Sequence, residues 1–413
     1  MLDEKRRHVV ESTANYLFAM TVWLVNPFYN TPLEGLRPER YWLMAEAFAR
    51  AGHDVTYWTS DFSHAMKRKR VVVAPRCGAP SIEVRMVPTL PYPRNICLAR
   101  VRSHMRLASD WLAASRRCGQ VPGLVVSSMP PLGLCGSAMK FAKECGALFV
   151  ADVNDAWPET FERILPRPLL WPMRRAARRI YCGADGICAV SRRYLDLAAS
   201  YGSKTPSFLA THCIDMAGRP AARKERRNDA LRLVYAGNMG LSYDLKTLVE
   251  AVAKTDGATL DLAGNGPDRP ALEALVQSLG LGDKVRFRGY MGAEELPKLL
   301  AECDIGVVPM FPESCVGVPG KIADYAKASL KVIESLGGEA GELVKAHGAG
   351  AHYEAGSADS LRDAIERVRR DLAAPWDCDG FAAEFDAQRI MDGLVTWTCR
   401  ELGKREQATK TQT

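Results

Sequence analysis

The chain has 413 residues, 47% hydrophobic and 25% charged, a composition that excludes a disordered or fibrous protein and leaves room for two domains of about 150 to 200 residues each. Its twelve cysteines are scattered singletons, without a C-x-x-C pair or a Cys/His cluster at zinc spacing, so neither a disulfide framework nor a structural metal is expected and a reducing cytoplasm fits. The sequence contains no apolar window of about 18 residues and no signal-peptide core at its start, so it reads as soluble or peripheral to a membrane.

The net charge of +7 is uneven. Residues 1–205 hold 29 Lys and Arg against 17 Asp and Glu, net +12; the remainder holds 26 against 31, net −5. Basic side chains gather at Lys67–Arg70, at Arg94–Arg106 and at Arg174, Arg175, Arg178 and Arg179, the last four spaced one helical turn apart. Leu169, Leu170, Trp171 and Met173 flank that third cluster, and the combination suits an anionic membrane surface. No helix-turn-helix, zinc finger or aromatic RNA-binding signature accompanies the charge, so nucleic acid is not an expected partner.

Residues 1–19 read as an N-terminal extension, because Met20 directly precedes the first strand-like run, TVWLVN. A helix over Arg37–Ala51 follows, then the strands DVTYWTS and IEVRMV, a basic amphipathic helix near Cys97–Cys118, and the strand GLVVSS. A helix over Gly133–Cys145, the strand LFVAD, a helix through Arg174–Tyr181, the strand GICAV and a helix from Ser191 complete a first domain, residues 20–214. The polar run DMAGRPAARKERRNDALR, residues 215–232, reads as a linker. The strands LRLVYAG, ATLDLAG, KVRFRG, DIGVVP, KVIES and GAHY, with helices between them and a last helix over Ser357–Leu372, form a second domain, 233–375. A helix within 376–403 is expected to return to the first domain, with 404–413 as a flexible tail. Alternation of this kind implies parallel sheets covered by helices.

Ligand chemistry is expected where strands end. Gly237-Asn238-Met239-Gly240 and Gly264-Asn265-Gly266-Pro267 each follow a strand and let backbone approach a ligand at the carboxyl edge of a sheet. Neither completes a dinucleotide fingerprint. Arg288 in RFRGY lies at a third strand end. Gly320 and Lys321 open a helix whose free N–H groups attract an anion, and Asp324 and Tyr325 stand one turn on, where they can meet a hydroxylated ring. In the first half, NTPLEGLRPER gives Gly35 room near a phosphate, with Arg37 and Arg40 as charge partners. VADVNDAWPET places Asp152 and Asp155 after a buried strand; Asp155 can orient a sugar hydroxyl, stabilise positive charge at an anomeric carbon, or simply cap a helix.

In this order the elements resemble the retaining GT-B glycosyltransferases of family 4, also called group 1. AGHDVTYWTS, SSMPPLGL and ADVNDAWPE are similar to the acceptor-domain sequences of that family; LVYAGNMGLSYDLKTLVEAV, LDLAGNGPDRPAL, VRFRGYM and VPGKIADYAKASLKVIESLGGEAGELVKAHGAGAHYEAGSADSLRDAI are similar to its nucleotide domain. The resemblance implies two Rossmann-like parallel-sheet domains facing a central cleft. It implies a nucleotide diphosphate sugar as donor substrate and no other cofactor, a glycan or lipid-linked saccharide acceptor in cell-surface polysaccharide synthesis, and retaining, metal-independent hexosyl transfer. The expected place is the cytoplasm, peripheral to the inner face of the cytoplasmic membrane. Carried onto this chain, Gly35 and Lys321 would meet the phosphates, Asp324 the ribose, and Asp155 the reacting face of the sugar. The chain departs from the pattern at Val316, where the family often has the first of two glutamates, and at Asn238, where an arginine is common; Lys246, Arg269 and Lys321 remain as phosphate partners. The alternatives are a sugar-nucleotide epimerase of like architecture, whose several ring-facing acids are poorly met here, and a catalytically silent scaffold.

Overall fold

A computed structural model describes residues 19–73, 81–162, 165–220 and 230–410. In it the alternating pattern folds as two compact units. The first comprises the described residues up to Val190, Tyr194–Ala210 and the chain from Gln388; the second comprises Ser191–Arg193 and the described part of Thr211–Ala387. Residues 1–18 of the expected extension 1–19 and residues 221–229 of the expected linker lie outside the described residues.

The strands of the first unit are β1 (Thr21–Val25), β2 (Asp54–Ser60), the short hairpin β3 (Phe62–Ser63) and β4 (Arg68–Lys69), β5 (Ile82–Val87), β6 (Leu124–Met129), β7 (Leu148–Val153), β8 (Gly186–Ala189) and β9 (Ser207–Leu209). Seven of them form one sheet in the order β5-β2-β1-β6-β7-β8-β9, parallel throughout. Helices α1 (Arg40–Arg50), α2 (Leu98–Arg117), α3 (Leu132–Cys145), α4 (Trp171–Gly183) and α5 (Arg192–Ser200) connect them. Every residue of β6 and all but the first of β1 are buried, which is why these runs are continuously apolar rather than alternating. Trp23 of β1 anchors the core, stacked on Phe141 at 5.1 Å and tilted against Trp58 at 5.3 Å.

The second unit holds β10 (Leu231–Ala236), β11 (Ala258–Ala263), β12 (Val285–Gly289), β13 (Ile305–Val308), β14 (Lys331–Glu334) and β15 (Gly350–His352), parallel in the order β12-β11-β10-β13-β14-β15. Its helices are α6 (Leu245–Ala253), α7 (Arg269–Ser278), α8 (Glu295–Ala301), α9 (Lys321–Lys327), α10 (Gly338–Ala346), α11 (Ala358–Arg370) and α12 (Cys378–Ala383). The chain then enters α13 (Ala387–Lys410), whose Trp397 packs over Gly186 so closely that a Cβ there would lie 2.8 Å from its ring. Strand order reverses between β10 and β13, and a crevice outside the carboxyl ends of such a pair is where open α/β sheets take ligands.

Three boundaries differ from expectation. Helix α1 begins at Arg40 rather than Arg37, because Pro38 disfavours helical backbone at the residue before it. Leu231 and Arg232, shared between the expected linker 215–232 and the expected strand LRLVYAG, belong to the strand and open β10, where the backbone N–H of Arg232 donates to Asp304 at 2.8 Å. The helix expected within 376–403 is interrupted, since Phe385 and Ala387 pair their backbones with Ile214.

Candidate functional site

The carboxyl ends of β10, β11 and β12 are laced together by backbone. The N–H of Gly237 donates to Ala263 at 2.9 Å, that of Met239 to Asn265 at 2.9 Å, and that of Gly264 to Gly289 at 2.6 Å. The approach is closer than side chains allow. A Cβ at Gly264 would fall 1.9 Å from the carbonyl oxygen of Gly237, and one at Gly266 would fall 2.1 Å from that of Met239. The structure therefore brings Gly237, Asn238, Gly240, Gly264 and Gly266 into one ridge.

Lys321 meets this ridge from α9. Its Nζ lies 3.9 Å from the ring centroid of Tyr235 and 4.0 Å from that of Tyr243, and about as close to Gly237, where a Cβ would be 3.2 Å away. That Nζ is shut off from solvent and has no hydrogen-bond partner among the described residues. Burial pushes its pKa well below the usual lysine range. Gly320, the residue before it, faces the ring of His212, whose Cγ would lie 3.5 Å from a Cβ there.

The helix start itself differs from the expected anion nest. The N–H groups of Ile322 and Ala323 are taken by the carbonyls of Pro319 and Gly320, at 3.0 and 3.1 Å. With α9 only seven residues long, its first turn adds little field, so positive charge at this point depends on protonation of the lysine side chain. Asp324 is partly exposed one turn beyond Lys321. Tyr325 corrects the expectation of ring contact: it is fully buried, its hydroxyl accepting from the Ala236 N–H at 3.0 Å and lying 3.3 Å from the Val307 carbonyl, to which it donates. Gly306 makes room for it, since a Cβ there would strike the Tyr325 ring at 2.3 Å.

The other expected donor contacts fall elsewhere. Arg288 donates from Nε to buried Asp261 at 2.7 Å. Arg269 lies between Glu273 and Asn265, at 2.7 and 2.6 Å, holding the Gly264–Gly266 turn rather than standing free. Lys246 is exposed and pairs with Glu250 along α6 at 3.6 Å. Two residues escaped sequence reasoning: Ser191, whose Oγ lies 2.7 Å from where a Cβ of Gly317 would be, and Glu339, whose carboxylate accepts from the Arg192 N–H at 2.9 Å. The Gly-Gly-Glu start of α10 was the available signal for Glu339.

In the first unit, Gly35 ends a 3-10 turn with a positive φ of 67°, packed on Val73. Arg40, expected beside a phosphate, is instead buried in a bidentate pair with Asp152, at 2.7 and 3.0 Å, and donates to the Ala210 carbonyl at 2.8 Å. Burial alone would raise the Asp152 carboxyl, but Arg40 overrides it and holds the pKa below the ordinary value. Asp155 accepts from the Ala156 N–H at 2.8 Å, the Trp157 indole at 3.1 Å and the Thr160 hydroxyl at 3.2 Å, so its carboxylate is fixed by its own turn. Burial nonetheless raises its pKa, against those three bonds. On α4, Arg174 is neutralised by Glu162 and Glu159, Arg175 lies over the Trp171 ring at 5.6 Å, and Arg178 and Arg179 are exposed.

Two family models fit the chain, Glycosyltransferase Family 4 over residues 40–216 and Glycosyl transferases group 1 over residues 230–371. The chain belongs to the group 1, family 4 glycosyltransferases. Among relatives in this family, the alpha-D-kanosaminyltransferase of Streptomyces kanamyceticus is 28% identical over 161 residues, 36% of this chain and 42% of that protein. The matched stretch thus spans less than half of that relative. Solved structures extend the likeness over nearly the whole length. The sucrose-phosphate synthase of Thermosynechococcus elongatus superposes with a TM-score of 0.69 at 15% identity, covering 95% of this chain and all of that one. Anabaena HepE in complex with UDP superposes with a TM-score of 0.64 at 15% identity, covering 92% and 98%. The fold is GT-B, with two parallel-sheet α/β domains.

Proposed function

We propose that the protein transfers a hexose or N-acetylhexosamine from a nucleotide diphosphate sugar to a glycan or lipid-linked saccharide, with retention of anomeric configuration and without a metal ion. The observation that carries this reading is Lys321: a desolvated Nζ without a hydrogen-bond partner among the described residues, at the strand-order reversal of a parallel sheet. A diphosphate needs positive charge there when the bond to the anomeric carbon breaks and the leaving oxygen gains an electron pair. Family membership favours such a donor, and the similar Anabaena protein was solved holding UDP. In this reading the glycine ridge lets backbone approach the phosphates, Asp324 binds the ribose, and Asp155 acts as a fixed charge near the sugar. An acceptor carried on a lipid in cell-surface glycan synthesis, met at the inner face of the membrane, agrees with the basic first half of the chain.

The test uses purified full-length protein with a panel of UDP- and GDP-sugars. Expected is hydrolysis or transfer with one donor, abolished by Lys321→Ala and by Asp324→Ala and unchanged by EDTA. Tight donor binding without turnover on any acceptor would favour the silent scaffold, and turnover lost to EDTA and restored by magnesium would sink the metal-free mechanism.

A further inference from the structure

The amino-terminal half of α2 presents an apolar stripe to solvent. Leu98, Val101 and Met105, at spacings of three and four, are 87%, 56% and 69% exposed, and Ile96 just before them is 59% exposed. The opposite face of the same turns is pinned down. Arg100 lies over the rings of Trp157, Tyr92 and Phe28 at 5.4, 5.9 and 6.0 Å, the Ser103 hydroxyl donates to the Leu90 carbonyl at 2.7 Å, and Leu107 and Trp111 are buried. The stripe is therefore held outward by packing and is not a frayed end.

Charge says what covers it. From Val84 to Ser109 the sequence has five arginines and no acid. Arg94, Arg102 and Arg106 are exposed beside the stripe, and the nearest carboxylate on α2, Asp110, engages Arg106 alone, at 2.7 Å. A protein partner would cover such an apolar stripe equally well but would need a matching acidic rim; an anionic bilayer supplies both an apolar interior and negative headgroups.

We infer that the first three turns of α2 are a membrane-docking element: Ile96, Leu98, Val101 and Met105 enter the acyl boundary of an anionic bilayer while Arg94, Arg102 and Arg106 engage its headgroups. This element is separate from the arginines of α4, where Arg174 is already neutralised by two glutamates. It needs no sugar transfer, so its failure would leave the proposed activity untouched. The carboxyl edge of the first sheet, where α2 starts, would then face the lipid surface.

The experiment is co-sedimentation of the full chain with vesicles of phosphatidylcholine alone or mixed with phosphatidylglycerol. Binding is expected only to the mixed vesicles. Val101→Asp with Met105→Asp, and separately Arg102→Glu with Arg106→Glu, should each weaken it at least about tenfold, given roughly 1 kcal/mol per basic residue near an anionic surface and similar losses for apolar contacts. All four side chains are exposed, so the melting temperature should stay constant and separates docking from misfolding. Wild-type binding by both double variants overturns the inference, as does a concentration-dependent dimer that the same variants dissolve.

Discussion

The Nζ of Lys321 sits 3.9 Å from the ring centroid of Tyr235 with no hydrogen-bond partner among the described residues, and Tyr243 lies on its other side at 4.0 Å. Two opposing effects act on that proton. The ring faces attract a cation, but removal from water disfavours charge more strongly, so the pKa falls. An arriving diphosphate would reverse the balance, making the charge of this lysine conditional on ligand.

Lys321→Met should stabilise the free protein by about 1–3 kcal/mol, the penalty of a buried group left unpaired, while abolishing nucleotide binding. The sign follows from linkage. A lysine whose folded pKa is depressed binds fewer protons folded than unfolded, so stability rises with pH from the folded value up to about 10.4, and the methionine variant lacks that rise. For the same reason nucleotide diphosphate binding should take up protons above the folded pKa. Calorimetry in buffers of different ionisation enthalpy would reveal it; identical heats in all buffers would contradict the caged-lysine account.

Tyr325→Phe separates a structural role from a ligand role. The hydroxyl satisfies the Ala236 N–H beneath the sheet end, so its loss should cost about 1–3 kcal/mol of stability with little change in donor KM. A large rise in KM with an unchanged denaturation midpoint would return Tyr325 to the donor site.

Much of this was legible in the sequence, for physical reasons. Buried parallel strands demand continuous apolar runs, so β1, β6 and β10 could be read from composition alone, and glycines ending β10 and β11 marked where backbones converge. What escaped depends on side-chain direction. Arg40 read as a phosphate partner and Arg288 as a donor contact because a cation near a strand end looks available; only the fold brings Asp152 and Asp261 to them, from 112 and 27 residues away. Tyr235 fell within an expected strand and Tyr243 in the segment after it, and nothing in their spacing from Lys321 announces a cage. Helix α2 read as basic and amphipathic, but the sequence alone cannot tell which of its apolar residues pack inward.

Gly264→Ala tests whether the glycine ridge is obligatory. The added methyl would fall 1.9 Å from the Gly237 carbonyl, so the two turns must separate and their bonds to Ala263 and Gly289 stretch. Expected is a loss of about 1–3 kcal/mol or more from overpacking, together with weakened nucleotide binding. Gly280→Ala, in a turn where a Cβ would meet nothing within 4 Å, serves as the control and should leave nucleotide affinity unchanged despite its own backbone strain at φ 66°. Equal effects of the two substitutions on affinity would show that contact between the turns is not what the site needs.

The final prediction concerns acid. Burial, with Lys67 and Arg100 nearby, pushes His64 down to about 3, and burial with Arg100 does the same to His104. Both rings therefore stay neutral in the folded protein while an unfolded chain would protonate them near pH 6.5. Between those values the unfolded state binds more protons, so stability should fall as pH drops from about 6.5 toward 3, by up to roughly 1.4 kcal/mol per pH unit for each histidine. The packing around them explains the resistance to protonation. His64 shares a 2.6 Å bond with the Tyr92 hydroxyl and lies 3.4 Å from Lys67, while Arg100 donates to His104 at 3.4 Å, which requires an unprotonated ring nitrogen. Urea denaturation across this range should give a shallower pH slope for His104→Gln than for wild type, and parallel curves would mean that His104 is charged in the fold.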